Sequence, residues 1–336
     1  MPLVSFCFST YKRGDILKET LLSVQRQTFT DFEVIISDND PESSAKFYVD
    51  SMNDARFKYF ANGINLGMKA SFNKSLQRST GEYIVMIADD DPVYSDMLET
   101  LVKMSNEIPG YGMYMGGCDW FCKDKDVAKL YNLKVGTNSC ISDDFDVNNI
   151  RVFSTSDFLN NFYTLKIFKH FLWSTSIVKR DLLIKMGGIP DYGSPFLGDY
   201  AYMSIASTEN GVVIVNRSLG CQTIHKENFG RNQNEQLPVV AANFPEFLNQ
   251  KLNYLEDWPK LKKLMCRFTA LWLIEHMVFL YHFKGNDNVQ IDSLNEAKNK
   301  VFDIAYLKKY RLKFYLKKDF RKLHDFFVKI KRFSKV

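Results

Sequence analysis

The sequence predicts an α/β protein in which helices flank a mostly parallel sheet. Strand-like and helix-like segments alternate through residues 2–117, and the helices are long enough to connect parallel strands. Of the 336 residues, 46% are hydrophobic and 25% are charged, as is typical of a folded globular protein rather than a disordered one. The chain is long enough for one large domain or for a domain and a half.

Each predicted element follows from its own residue pattern. Short apolar runs rich in β-branched and aromatic residues predict strands, and apolar residues spaced three and four apart predict helices. The predicted strands are residues 3–9, 32–37, 56–60, 83–88, 174–178 and 212–215. The predicted helices are residues 15–27, 42–52, 68–77, 95–108, 156–162 and 199–208.

The pattern becomes helical to the end of the chain from about residue 245. We therefore predict an α/β domain over residues 1–240 and a helical C-terminal region over residues 241–336. The longest apolar stretch, residues 268–283, is short and contains Glu275 and His276, so we expect that it does not span a bilayer. The first residues have the pattern of a strand and not of a basic leader, which predicts a cytoplasmic protein.

The most informative feature is the acidic run Asp89-Asp90-Asp91, which follows the predicted strand 83–88. Three carboxylates this close repel one another and raise their own proton affinities unless a cation lies among them. Mg²⁺ is usually held by one or two carboxylates together with substrate phosphates, and open α/β sheets bind ligands at the carboxyl ends of their strands. The run indicates a site for a metal and a phosphorylated ligand. The alternative is an acidic turn that caps the next helix.

Two further strand ends carry polar residues that could join this site. Asp38 ends the second predicted strand, where a carboxylate can accept hydrogen bonds from a nucleoside base or ribose. The first strand ends in the segment Ser9-Thr10-Tyr11-Lys12-Arg13. Because neighbouring parallel strands end at the same edge of a sheet, we expect residues 9–13, 38–40 and 89–91 to converge.

These segments resemble the family-2 inverting glycosyltransferases of the GT-A fold. The resemblance is dense over residues 3–100 and thin over residues 173–230. Two positions depart from the family pattern: Lys12 replaces the usual Asn of Thr-Tyr-Asn-Arg, and Ala88 replaces the first Asp of the Asp-x-Asp metal motif. The segments occur in the family's order, and they are residues 5–13, residues 25–38, residues 65–67 with Asn73, and residues 81–84.

The resemblance implies roles for the residues at the predicted sheet edge. Asp38 would bind the nucleotide base, and Asp89 would lie near the ribose. Asp90, with Asp91 close behind it, would bind Mg²⁺ or Mn²⁺. The other residues implied in binding the nucleotide-sugar donor are Thr10, Tyr11, Arg13 and Asn65.

The resemblance also implies an acceptor region around residues 187–200. Asp199 would be the general base that takes the proton from an acceptor hydroxyl. The alternatives are that Asp199 is a helix N-cap or that Asp191 is the base. His225 would contact the metal or the diphosphate, together with Lys226 and Arg231, although a lone His is often structural. Trp173 and Tyr200 would stack on a sugar or pack in the core.

Together these residues imply an inverting glycosyltransferase. It would move a sugar from a nucleoside-diphosphate sugar to a hydroxyl of a lipid-linked glycan, in the synthesis of a bacterial surface polysaccharide such as O-antigen or capsule. The metal would stabilise charge on the diphosphate. Two alternatives stay open. One is a metal-dependent nucleotidyltransferase, and the other is a non-catalytic protein that binds sugar nucleotides or glycans, which Ala88 favours.

The C-terminal tail, residues 306–336, mixes Lys and Arg with Tyr, Phe and Leu. Residues 308–336 contain twelve basic and two acidic residues, so their net charge is +10, whereas residues 1–307 carry −5. This composition predicts a peripheral helix on the anionic inner face of the plasma membrane. Packing within the protein and oligomerisation are the alternatives. We expect no nucleic-acid partner, because no recognition module accompanies the tail.

Overall fold

The computed structural model describes residues 1–141, 146–167, 170–225, 233–284 and 288–320. The chain divides into two compact units. The first unit contains residues 1–191 and 198–226, and the second contains residues 192–197 and 227–336. The domain boundary near residue 240 stays a prediction.

The first unit is built on one mixed sheet, which has nine strands within the described residues. The strands are β1 (Val4–Thr10), β2 (Phe32–Asp38), β3 (Phe57–Ala61), β4 (Tyr83–Ala88), β5 (Met113–Cys122), β6 (Gly136–Asn138), β7 (Ile150–Phe153), β8 (Ser176–Lys179) and β9 (Val212–Ile224). Their order is β3-β2-β1-β4-β8-β5-β9-β7, and β6 pairs with the carboxyl end of β5. Most paired residues are in parallel register, because β3, β2, β1 and β4 run parallel and β5 runs parallel to β9.

The antiparallel pairs lie in the second half of the sheet. There β8 is antiparallel to both of its neighbours, β4 and β5, and β7 is antiparallel to β9. The fold class is therefore the predicted one, a mixed and mostly parallel sheet with flanking helices. The helices of this unit are α1 (Gly14–Gln25), α2 (Lys46–Asp50), α3 (Met68–Arg78), α4 (Met97–Glu107), α5 (Lys125–Tyr131), α6 (Thr155–Tyr163), α7 (Arg180–Met186) and α8 (Gly198–Ala206).

Strands β1 and β2 are buried along their whole length, and β4 is buried except at its last residue. This burial explains their continuous apolar sequences, because helices cover both faces of a parallel sheet. The register sets Thr10 opposite Asp38 and Ser9 opposite Ala88. The residues that follow these three strands therefore meet at one edge of the sheet.

Four strands differ substantially from the sequence-based prediction. The ten-residue β5 and the short strands β6 and β7 were not predicted, and β9 continues nine residues beyond the predicted end at Val215. The pairing of β5 with β9 shifts register between Met115 and Gly117 and again between Gly117 and Asp119. Such irregularities interrupt the two-residue alternation from which strands are recognised. The extension of β9 matters for the site, because it places His225 directly after the strand.

The second unit is helical within its described residues. Its helices are α9 (Gln236–Leu252), α10 (Trp258–Lys284), α11 (Asn288–Asp303) and α12 (Arg311–Asp319). They enclose an apolar core to which each helix contributes fully buried residues, among them Leu237, Phe244, Met265, Met277, Leu294, Val301 and Phe314. The helical prediction for this region is correct, although α9 begins before residue 245.

The expectation about the longest apolar stretch needs a correction. The helix α10 extends well beyond residues 268–283 and starts at Trp258. By length and composition, residues Trp258–Phe283 could cross a membrane, and half of that apolar window is buried inside the protein. Buried core helices of globular proteins have the same length and composition.

Candidate active site

The ends of β1 and β4 place basic and acidic side chains in direct contact. Arg13 follows β1 and donates from Nη1 to Asp89 Oδ1 at 2.8 Å and from Nη2 to Asp90 Oδ2 at 2.6 Å. The hydroxyl of Thr10, at the end of β1, donates to Asp89 Oδ2 at 2.9 Å. Both oxygens of Asp89 are therefore occupied by residues of the neighbouring strand. The structure brings three of the predicted donor-binding residues together here.

His225 joins the same cluster from the end of β9. Its Nε2 lies 3.2 Å from Asp90 Oδ2 and 3.4 Å from Arg13 Nη2. The side chain of Asp90 is 14% exposed and those of His225 and Arg13 are 20% and 30% exposed, whereas Asp89 is almost completely buried. Asp90 thus reaches the rim of the site, where a ligand could meet it. The predicted neighbours Lys226 and Arg231 lie outside the described residues.

The acidic run shows the charge conflict expected from its sequence. Burial, together with the charge of Asp90, raises the pKa of Asp89 to about 7. Burial raises the pKa of Asp91 well above its usual range, and the charges of Asp90 and Asp199 raise it further. Burial would also raise the pKa of Asp90, but His225 and Arg13 outweigh that effect and lower it. Asp90 is therefore the carboxyl group of the run whose pKa is lowered by its cationic neighbours.

The donor atoms at this rim suit a hard divalent cation that is shared with a substrate. Asp90 and His225 offer an oxygen and a nitrogen 3.2 Å apart, and Asp91 follows Asp90 in the chain. Among the described residues, no three His, Cys, Asp or Glu side chains are arranged as a complete metal site. Mg²⁺ usually keeps waters and takes phosphate oxygens in addition to one or two carboxylates, so a complete protein cage is not required. The residues present fit such a site.

Asp199 lies in the first turn of α8, in the same unit as the acidic run. Its carboxyl group accepts a hydrogen bond from the backbone of Trp173, and its Oδ1 is buried with no hydrogen-bond partner among the described residues. Burial raises its pKa to about 7. Because its charge also raises the pKa of Asp91, the two carboxyl groups are electrostatic neighbours. A buried carboxylate oxygen without a partner is costly for stability and therefore points to a functional use.

Asp38 has a different environment from the other acidic candidates. It is completely buried, and its Oδ1 accepts from the backbone N–H of Asp40 at 2.8 Å. Its Oδ2 accepts from the hydroxyl of Tyr59 at 2.8 Å and from the backbone N–H of Ala45 at 3.3 Å. The Asp38 carboxylate thus organises the loop that follows β2. Its assignment as a base-binding residue stays a prediction.

The next residue, Asn39, ties this loop to a second one. Its side chain donates to the carbonyl of Gly67 at 3.1 Å and accepts from the backbone N–H of Leu66 at 3.3 Å. The predicted donor-binding residue Asn65 is exposed, and its side chain accepts from the backbone N–H of Gly67 at 2.9 Å. Tyr11 is also exposed, at 42%. Both residues are accessible to a ligand at the surface of the unit.

The rival base, Asp191, has a partner and faces solvent. Its side chain is 70% exposed, and its Oδ1 lies 2.6 Å from Lys69 Nζ. Nearby, the side chain of Asn73 accepts a hydrogen bond from the backbone N–H of Ile189 at 2.9 Å. Asn73 therefore links α3 to the turn that precedes Asp191. Because Asp191 is paired with Lys69, whereas Asp199 Oδ1 has no hydrogen-bond partner among the described residues, these contacts favour Asp199 over Asp191 as the candidate general base.

One contributor to the site, Thr20, was missed in the sequence, and so was the backbone contact of Trp173. Thr20 of α1 donates from its hydroxyl to the backbone carbonyl of Asp89 at 2.9 Å, and it looked like one more residue on an apolar helix face. Trp173 supplies the backbone donor to Asp199. Its ring packs edge-on against Phe72 and Tyr202, so in this structure it is a core residue. Tyr200 packs against Phe162 and Phe171.

A cavity of about 610 Å³ lies at the opposite edge of the sheet. It is lined by residues before β1 and β4, such as Leu3 and Gly81, and by Lys179 at the end of β8. Ligands of open α/β sheets bind at the carboxyl ends of the parallel strands. The acidic run, and not this cavity, is therefore the candidate active site.

Comparison with known proteins is consistent with this placement. The family model described as "Glycosyl transferase family 2" matches residues 5–186, which is more than half of the chain and includes the acidic run. The chain belongs to glycosyl transferase family 2. Membership favours sugar transfer over the nucleotidyltransferase and the binding protein that the sequence left open. The match ends before Asp199 and His225.

A curated relative of this family-2 chain is the GalNAc(5)-diNAcBac-PP-undecaprenol beta-1,3-glucosyltransferase of Campylobacter jejuni subsp. jejuni. It is 34% identical over 121 residues, which are 35% of this chain and 38% of that protein. The chain thus spans little more than a third of that relative's length, and the two proteins are comparable over that part only.

Two solved structures share the GT-A fold of this chain. S. aureus TarS 1–349 in complex with UDP-GlcNAc has a TM-score of 0.53 at 14% identity and covers 89% of this chain and 91% of its own. The mannosyltransferase PcManGT from Pyrobaculum calidifontis, in complex with GDP-Man and Mn²⁺, has a TM-score of 0.53 at 17% identity and covers 96% and 88%. At this identity the likeness concerns the fold alone.

Proposed function

We propose that the protein is an inverting glycosyltransferase that moves a sugar from a nucleoside-diphosphate sugar to a hydroxyl of a lipid-linked glycan. One observation carries the proposal. The buried carboxyl group of Asp199 has a raised pKa of about 7 and an oxygen without a partner, and it is electrostatically coupled to the acidic run through Asp91. A general base works best when its pKa lies near the operating pH.

In the proposed reaction, an acceptor hydroxyl attacks the anomeric carbon of the donor sugar. Asp199 takes the hydroxyl proton, and the nucleoside diphosphate leaves from the opposite face, so the anomeric configuration inverts. Arg13 and Thr10 hold Asp89 in a fixed orientation beside Asp90. When bound, a divalent cation held by Asp90, Asp91 and His225 would neutralise charge on the diphosphate.

The substrate classes rest on the comparisons together with the site. UDP-GlcNAc and GDP-Man are named as ligands of the two structures with the same fold, which supports a nucleoside-diphosphate sugar as donor. The name of the Campylobacter relative includes a glycan linked to undecaprenol diphosphate, which supports a lipid-linked acceptor. We propose Mg²⁺ or Mn²⁺ as the cation, a peripheral position at the inner face of the plasma membrane, and a role in bacterial surface-polysaccharide synthesis.

The test of the proposed base is the substitution Asp199→Asn. It keeps the size of the side chain and removes the ability to accept a proton, so transfer should fall by about 100-fold or more. Binding of the donor, measured by calorimetry, should change little. The matched control is Asp191→Asn, which alters the exposed rival carboxylate and should retain most of the activity. Full turnover of the Asp199→Asn protein would remove Asp199 from the mechanism.

A preceding experiment identifies the donor. Thermal shifts are measured with UDP-, dTDP-, GDP- and CDP-sugars, each with and without Mn²⁺, because a ligand that binds only the folded state raises its melting temperature. Transfer is then measured with the best donor and an isoprenoid-diphosphate glycan, and the anomeric configuration of the product is read by NMR. A retained configuration, or release of pyrophosphate from a nucleoside triphosphate, would contradict the proposed function.

A further inference from the structure

A basic cavity lies in the second unit, beside the first turns of α10. Its volume is about 450 Å³. Four cationic residues line it, three from α10 and one from the turn Lys308–Tyr310, and two tyrosines complete its wall. The cationic and tyrosine residues that line this basic cavity are Lys262, Lys263, Arg267, Lys309, Tyr306 and Tyr310.

The charge of the basic cavity is of one sign. No acidic residue lines it, and within the described part of the chain none of its four cations forms a salt bridge with Asp or Glu. Two other cavities, of about 610 and 400 Å³, are lined by acidic and basic residues together. Four cations at one cavity repel one another, and a bound anion relieves that repulsion. The cavity is therefore suited to an anion.

Two of the four cations act on the same group in the cavity wall. Burial raises the pKa of the Cys266 thiol, which lies in the cavity wall, and the charges of Lys262 and Lys309 oppose that rise. Both ammonium groups therefore act on the same point. The wall is also held in place, because the Tyr306 hydroxyl donates to the backbone carbonyl of Ala241 at 2.8 Å. Lys309 Nζ lies 5.3 Å from the centre of the Tyr310 ring.

An exposed apolar row follows the basic cavity in the chain. Leu312, Leu316 and Phe320 are 70%, 46% and 57% exposed. The spacing of four residues places Leu312 and Leu316 on one side of α12, and Phe320 directly follows the helix. Phe314, two residues from both leucines, is completely buried, so the row is on the solvent side of the helix. An exposed apolar row next to Lys and Arg residues is the pattern of a helix that lies in a membrane interface.

We propose that the basic cavity binds the phosphate group of an anionic membrane lipid, while the apolar row enters the boundary between headgroups and acyl chains. Charge complementarity selects the anionic lipid, and the exposed leucines that follow the cavity residues in the chain favour a lipid over a free phosphate. Tyrosines are common at the headgroup level, which suits Tyr306 and Tyr310. The inference deepens the proposed function and rests on it in one respect, because a lipid-linked acceptor is reached from the membrane surface.

The experiment measures sedimentation of the full-length protein with phosphatidylcholine vesicles that contain phosphatidylglycerol, and with phosphatidylcholine vesicles alone. The wild-type protein should bind the anionic vesicles only. The variant Lys262→Gln/Arg267→Gln removes two cavity charges and should weaken that binding about 30-fold. Leu312→Ser/Leu316→Ser should weaken it as well, and melting temperatures check that each variant is folded.

The matched control is Lys251→Gln/Lys300→Gln. It removes the same charge from exposed positions of the same unit that do not line the cavity. Its binding should change by less than about threefold, since distant exposed charges are largely screened by salt. An equal loss in the control would assign vesicle binding to overall charge and overturn the proposal.

Two further probes identify the ligand. Inorganic pyrophosphate should release the wild-type protein from the anionic vesicles. It should have little effect on the residual vesicle binding of the Lys262→Gln/Arg267→Gln variant. If pyrophosphate binds at the cavity but vesicles do not bind, the cavity is a site for a free anion, and the lipid proposal is wrong. Cavity-dependent binding of a DNA duplex without any binding of vesicles would also overturn it.

Failure of this inference can be separated from failure of the proposed function. Transfer to a short-chain, water-soluble acceptor diphosphate does not need a membrane. The cavity variant should keep that transfer and lose vesicle binding. If the wild-type protein does not transfer sugar to the water-soluble acceptor, the proposed function is contradicted, whereas the result on vesicle binding still stands.

Discussion

The guanidinium group of Arg13 lies 2.6 Å from the carboxylate of Asp90, so a proposed metal ligand is already paired with a cation of the chain itself. The same group reaches Asp89 at 2.8 Å. Arg13 therefore neutralises part of the acidic run, which otherwise repels itself. A free divalent cation has to compete with this arginine, whereas a donor diphosphate offers the arginine an alternative partner.

The substitution Arg13→Met should expose this competition. It leaves two carboxylates without their cation, so we expect a loss of about 1–3 kcal/mol in the free energy of unfolding. Mn²⁺ without any nucleotide should restore much of that loss, and it should raise the melting temperature of the variant more than that of the wild type. Urea unfolding and thermal shift measure both effects.

Arg56→Met is the matched control for Arg13→Met. Arg56 pairs with Asp54 at 2.6 Å, and its side chain is 28% exposed, close to the 30% of Arg13. It lies directly before β3, away from the strand ends that form the site. The stability that is lost in Arg56→Met should not be restored by Mn²⁺. Equal restoration in the two variants would show that Arg13 does not compete with the cation.

The raised pKa of Asp199 predicts how stability depends on pH. The folded protein keeps the proton up to about pH 7, whereas the unfolded chain releases it near 3.8. Between these values the folded state binds more protons than the unfolded state, so wild-type stability falls as the pH rises. Asp199→Asn cannot ionise. It should be more stable than the wild type above pH 7, by up to about 4 kcal/mol, and the difference should vanish near pH 4.

Urea unfolding of the wild type and Asp199→Asn at pH 5 and pH 8 measures this difference. Asp191→Asn serves as the control, because its exposed carboxylate is paired with Lys69 and contributes little at either pH. A difference that grows towards low pH would have the wrong sign and would show that Asp199 is not a destabilising buried carboxylate.

The raised pKa of Asp199 also predicts how the rate of transfer depends on pH. If Asp199 is the base, kcat/KM should fall about tenfold for each pH unit below 7, because only the ionised form accepts a proton. Initial rates between pH 5 and pH 9 with saturating Mn²⁺ measure the profile, and Asp191→Asn should leave it unchanged. A profile that is flat from pH 5 to pH 8 would contradict the assignment.

The parallel half of the sheet could be predicted from sequence because its signals are local. The apolar run of β4 covers the predicted residues 83–88, and β1 and β2 differ from prediction by one residue at their ends. Once these strands are parallel neighbours, the meeting of Thr10, Asp38 and Asp89 at one edge follows from the topology alone. The predicted site is thus a consequence of strand order.

The remaining features depend on contacts between distant residues. The parallel partner of β5, strand β9, lies about a hundred residues further along the chain, and the register shifts between the two strands hide the strand pattern. The approach of His225 to Asp90 requires the full extension of β9. The occupation of the Asp38 carboxylate by its own loop could not be predicted either, because backbone donors carry no sequence signal.

Substitutions at Asp38 test whether its carboxylate stabilises the loop after β2 or binds the donor base directly. Asp38→Ala removes the acceptor for the N–H groups of Asp40 and Ala45, and we expect a loss of about 2–4 kcal/mol in stability. Tyr59→Phe removes one hydroxyl donor to the same carboxylate and should cost about 1 kcal/mol. Calorimetry then compares donor affinity. A pure base-binding role would weaken donor binding in Asp38→Ala without any loss of stability.

The contact between Gly188 and Asn73 allows the last prediction. Gly188 has a φ of +80°, and a Cβ atom at this position would collide with the Asn73 side chain. Gly188→Ala should therefore destabilise the protein through both the backbone conformation and the collision, by about 2–4 kcal/mol. Asn73→Ala removes the obstacle and the hydrogen bond to Ile189.

A double-mutant cycle separates these two contributions. In Asn73→Ala/Gly188→Ala the collision is absent, so relative to Asn73→Ala the Gly188 substitution adds only the cost of the positive φ, about 1 kcal/mol. The double variant should therefore be more stable than the sum of the single changes predicts, with a coupling of about 1–2 kcal/mol measured by urea unfolding. Additive losses would mean that the turn moves away from α3 without resistance, and the turn before Asp191 would then not be held by Asn73.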